Sequence, residues 1–90
     1  MDIDATKIII PPNSARKVIG ILADHGIYWC GNCDYPLEGT IREAEERYVH
    51  GGYITIRFDV YSGGSREFLF NDYCGYTEIS VNKLIEILKQ

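Results

Sequence analysis

The chain lacks long apolar runs, an excess of basic charge and the cysteine density that holds many small proteins together. No apolar stretch approaches the roughly 18 residues of a membrane-spanning helix. The first residues, Met1, Asp2, Ile3 and Asp4, have neither the basic region nor the apolar core of a signal peptide. The expectation is a protein that is neither exported nor membrane-bound. Nine Lys plus Arg stand against thirteen Asp plus Glu, a formal charge of −4. That balance removes the basic footprint of a general nucleic-acid binder, so nucleic acid is not an expected partner. Three cysteines are too few for a secreted disulfide scaffold of this length, which points to a reducing cytosol. No repeat, linker or low-complexity segment divides the 90 residues, and one domain over residues 1–90 is expected. A chain this short buries roughly 60% of its unfolded surface, which leaves little stability for a large buried polar site and argues against an elaborate enzyme.

What is present is a clear succession of elements. Ile8, Ile9 and Ile10 form a β-branched run stopped by Pro11 and Pro12. Asn13 or Ser14 is then expected to cap a helix whose apolar face is Ala15, Val18, Ile19, Leu22 and Ala23, ended by Gly26. His25 falls in the last turn of that helix, where a solvated histidine suits the dipole. Residues 27–30 suggest a short strand leading into a turn-rich stretch. Thr40 and Glu43 have capping-box spacing, which predicts a second helix with Ile41, Ala44 and Tyr48 on one side and Glu45 and Glu46 on the other. After Gly51 and Gly52, residues 53–61 alternate. Ile54, Ile56, Phe58 and Val60 point one way; Tyr53, Thr55, Arg57, Asp59 and Tyr61 point the other. A Ser-Gly-Gly-Ser turn joins this run to residues 66–70 as an antiparallel hairpin. Ser80 is the expected cap of a last helix carrying Leu84, Ile85 and Leu88. The fold class read from this order is α+β, with a small antiparallel or mixed sheet and two or three helices packed on one face.

Three constellations bear on chemistry. Trp29-Cys30-Gly31-Asn32-Cys33 has the spacing of a thiol oxidoreductase motif. Its context is wrong, because a helix ends just upstream, Pro36 and Gly39 interrupt the downstream stretch where a long helix would be needed, and no later proline supplies the cis-proline of such a site. A zinc site would need Cys30, Cys33, Cys74 and either His25 or His50 to converge. The simpler expectation is that cysteine acts as a small buried hydrophobe beside Trp29. The serines sit at caps and turns, and the diglycines lack the lysine and helix of a phosphate loop. No catalytic residue, metal or cofactor is therefore assigned, and the chain is read as non-enzymatic. The third constellation is the polar face of the long strand. With helices covering the isoleucine face, Tyr53, Arg57 and Tyr61 would stand on the open side, where such residues often make recognition surfaces or homodimer contacts.

Residues 15–25, then Gly26-Ile27-Tyr28-Trp29, the hairpin, and Glu78-Ile79-Ser80-Val81 leading to Leu84 and Ile85 together resemble small accessory proteins encoded by bacteriophages. That resemblance implies a protein of the bacterial host cytosol which binds and blocks a host defence protein, or sequesters a small signal molecule. A homo-oligomer is expected alongside either partner. The acidic helix with Glu43, Glu45 and Glu46, and the cysteine pair, depart from that pattern.

Overall fold

The computed structural model describes residues 3–31, 34–59 and 65–89. In chain order these form β1 (Thr6–Ile10), α1 (Ala15–Asp24), β2 (Tyr28–Trp29), α2 (Leu37–Arg47), β3 (Gly52–Asp59), β4 (Ser65–Leu69), β5 (Thr77–Ile79) and α3 (Val81–Leu88). The strands make one mixed sheet in the order β2-β4-β3-β1-β5. β3 is antiparallel to both β1 and β4, while β5 is parallel to β1 and β2 is parallel to β4. Among these strands β3 therefore opposes the other four. The expected α+β fold, with a mixed sheet and helices on one face, is the one observed.

One core explains that layering. Ile8, Ile10, Ile54, Ile56, Phe68 and Ile79 occupy alternate strand positions and meet Val18, Ile19 and Leu22 of α1, Ile41 and Ala44 of α2 and Leu84 of α3. All three helices thus pack on the same side of the sheet, as strand alternation requires. α1 ends as its sequence indicates, with Gly26 at φ +74°. The turn into β3 depends on two glycines. Gly51 has φ +83°, and a Cβ at Gly52 would lie 2.7 Å from the Tyr48 ring. Tyr48 is held there by its hydroxyl, which donates to the Tyr53 carbonyl at 2.6 Å. Burial pushes the Tyr48 phenol up to about 12.

Several expectations are corrected. α2 begins three residues before Thr40, after Pro36. Proline sets a helix-compatible φ and needs no N–H there, so Thr40 is left as a buried interior residue rather than a cap. Ser14 stands at the start of α1 but makes no capping bond; its hydroxyl instead lies 3.5 Å from the Pro12 carbonyl. Ser80, by contrast, accepts from the Lys83 N–H as a cap should. Phe58 shares the parity of Ile54 and Ile56 yet is 48% exposed, because it lies beyond the ground the helices cover. Thr55, assigned to the open side, is buried. Val60 and Tyr61 lie outside the described residues. The strand β5 has no counterpart in the expected order. Among the described residues no helix is long and apolar enough to cross a membrane.

Candidate functional site

The side of the sheet away from the helices is polar and crossed by chain. β4 ends beside the start of β3, whereas β5 begins beside the start of β1, so the connection between them must traverse β3 and β1. It does so over the helix-free face: Asn71 receives the Thr55 hydroxyl's hydrogen bond, and Asp72 pairs with Lys7 at 2.9 Å. This crossing explains why Thr55 is buried. The Tyr73 and Tyr76 rings, farther along it, are in contact with centroids 4.9 Å apart and planes tilted by 40°.

Of the sequence-predicted recognition residues, the structure places Tyr53 and Arg57 on this face, while Tyr61 lies outside the described residues. Tyr53 is half-buried, with Lys7 4.8 Å from its ring centre. The Glu78 carboxylate raises its phenol pKa, against a smaller opposing effect of Lys7. Lys7 is raised as well, chiefly by its bond to Asp72. The Arg57 Nε donates to Glu67 at 2.6 Å, and the Glu67 side chain is 3% exposed. Both residues are therefore tied into the sheet rather than standing free.

Of the cysteine motif, Cys30 does not sit where a thiol is activated. Cys30 is exposed, not the buried hydrophobe expected, and it occupies a left-handed turn at φ +53° rather than a helix N-terminus. Desolvation of its sulfur and the nearby Glu67 carboxylate push its pKa up, against a smaller opposing effect of Arg57. Cys74 is exposed on the crossing segment, and Cys33 lies outside the described residues. Among the described residues no three His, Cys, Asp or Glu side chains gather as a metal site. His25, exposed as expected, has its Nδ1 3.0 Å from the Ile21 carbonyl oxygen.

A concave feature among the described residues lies elsewhere. A groove of about 290 Å³ opens outside the carboxyl ends of the parallel neighbours β1 and β5, lined by Ile9, Pro11, Ser14, Lys17, Ser80, Val81 and Asn82. Each strand hands the chain directly into a helix there, α1 after β1 and α3 after β5. Two helix N-termini face the groove. No side chain caps α1, so its first N–H groups have no partner within the helix; at α3 the Ser80 side chain takes the Lys83 N–H. Lys17 is exposed and has no ion pair among the described residues, unlike Lys7, Arg16, Arg57 and Arg66. The groove thus combines an apolar floor with a cation and unpaired backbone donors. Sequence reading passes over it because its two halves are far apart in the chain; the pointers are a short strand feeding straight into each of two helices.

Comparison with family models, curated proteins and solved structures yields no match.

Proposed function

We propose that this chain is a non-enzymatic binding protein which sequesters a small anionic molecule in the groove between β1 and β5. The carrying observation is the convergence, on one concavity, of Lys17 and the first turns of α1 and α3. Helix N-termini favour anions through their free N–H groups and their dipoles, and Lys17 adds a full charge. Ile9, Pro11 and Val81 offer contact to an apolar body. The volume lies at the low end for ligand sites, which suits a short carboxylate or a single nucleotide rather than a dinucleotide or a peptide. This is the mode of action that the resemblance to phage accessory proteins implies for sequestering members, working in a bacterial cytosol. Among the described residues no carboxylate, imidazole or thiol lines the groove, so binding rather than turnover is the reading.

The test is a titration followed by amide resonances, with a nucleoside monophosphate and a short-chain carboxylate as separate probes and inorganic phosphate as the third. Saturable shifts at Ala15, Lys17, Val81 and Asn82, weakened about tenfold or more in Lys17→Ala, are expected. Absence of saturation with every probe, or saturation unaffected by Lys17→Ala, would overturn the proposal. Equal affinity for inorganic phosphate and the nucleotide would show that the apolar floor takes no part.

A further inference from the structure

The side chains that line the groove bear on what its occupant carries besides a charge. Ile9, Pro11 and Val81 are aliphatic, and Ile9 is left 39% exposed. No aromatic ring lines the groove among the described residues, so a nucleobase would find no surface to stack on. The aliphatic lining has a continuation along both helices. Residues four apart share a helix face, so Ile21 stands one turn beyond Lys17 on α1 and Ile85 one turn beyond Val81 on α3. Both isoleucines are only half-buried. Because β1 and β5 are parallel and each feeds its helix directly, α1 and α3 set out from the same end of the sheet. Lys17 is the one cation in the lining among the described residues, which matches a single negative charge rather than the roughly two of a phosphomonoester.

Resting on the groove reading, we infer that the occupant is a medium-chain monocarboxylate, with its head beside Lys17 and its alkyl chain laid over Ile9 and Val81 toward Ile21 and Ile85. A formal charge of −4 sets the chain against an anionic membrane surface, so the acid is taken free from solution rather than from a bilayer.

Titration of the whole chain with butanoate, hexanoate and octanoate, followed by amide resonances, tests this, with a nucleoside monophosphate as the competing class. Affinity should rise about tenfold from butanoate to hexanoate and about tenfold again to octanoate, the gain expected from burying two methylenes at each step. Octanoate shifts should extend from Lys17 and Val81 to Ile21 and Ile85. Ile85→Thr keeps a β-branched side chain but makes it polar; it should weaken octanoate about fivefold and leave butanoate unchanged, and circular dichroism checks its fold. Affinity that is level from butanoate to octanoate, octanoate binding indifferent to Ile85→Thr, or tighter binding of the nucleoside monophosphate than of octanoate would each overturn this inference and leave the groove reading standing. Saturation by none of the probes would overturn both.

Discussion

The two faces of the sheet are built from alternate residues of the same strands, yet they are stabilised by different means. On the helix side, Ile8, Ile10, Ile54, Ile56 and Phe68 form a continuous apolar layer in which, among the described strand residues, Thr6 is the one buried polar side chain to satisfy. On the other side, Lys7, Tyr53, Thr55, Arg57 and Glu67 form a layer of bonded polar groups held down by one crossing segment. Burial on the first face is non-directional, and its cost on removal follows volume. Burial on the second depends on pairing, so the cost of a change depends on which partner is left behind. Position along the strand matters as much as parity: Phe68 and Phe58 both point toward the helix side, and only Phe68 lies under the helices.

That contrast sets the largest expected effect. Phe68→Ala should lower unfolding free energy by about 3–5 kcal/mol, while Phe58→Ala should cost about 1 kcal/mol or less. Urea melts of both variants give the comparison. Equal losses would show that the end of β3 is covered as thoroughly as its centre.

The polar face should show an asymmetry of its own. Arg57→Ala strands a buried carboxylate and should cost about 2–3 kcal/mol. Lys7→Ala strands Asp72, which is already in water, and should cost about 1 kcal/mol. Urea melts of these two variants give the comparison. If the two losses matched, the depth of the remaining partner would not be what decides them.

How much of this is visible in the sequence depends on how local each signal is. The parity of β3 can be read directly, since Ile54 and Ile56 alternate with Tyr53, Thr55 and Arg57 within one short segment. α1 and the Ser80 cap are equally local. The start of α2 is misplaced by sequence reading because Thr40 and Glu43 imitate a capping box, whereas the helix opens on Pro36, whose contribution is a fixed φ rather than a side-chain bond. β5 escapes it because three residues, Thr77, Glu78 and Ile79, carry too little periodicity, and parallel pairing with β1 leaves no turn signature. The crossing of the polar face, and with it the burial of Thr55, is a consequence of β5's place in the strand order. The groove depends on the same long-range pairing.

The two helices that open on the groove offer a smaller contrast. Ser80 caps α3 through the Lys83 N–H, so Ser80→Ala should cost about 1 kcal/mol. Ser14 makes no such bond, and Ser14→Ala should cost no more than about 0.5 kcal/mol. Thermal melts at neutral pH distinguish the two, and a comparable loss at Ser14 would mean that the first turn of α1 is capped in solution and less available to an anion.

The smallest effect belongs to the surface where α1 meets α2. Arg16 binds Glu38 at 2.8 Å and Glu45 at 3.1 Å, all in solvent. The Arg16 hydrogen bond and charge lower the Glu38 pKa below its ordinary value of 4.5. A carboxylate lowered in the folded state binds its proton more weakly there than when unfolded. Its contribution is therefore complete above the ordinary value and is lost as pH falls through the lowered one. Arg16→Ala should narrow its melting-temperature gap to the unaltered protein between neutral pH and about pH 3, and about 0.5 M salt should shrink the neutral-pH gap as well. A gap unchanged by both acid and salt would mean that Arg16 contributes through packing of its stem across α2 rather than through charge, and this helix pair would then obey the rule of the apolar face rather than that of the polar one.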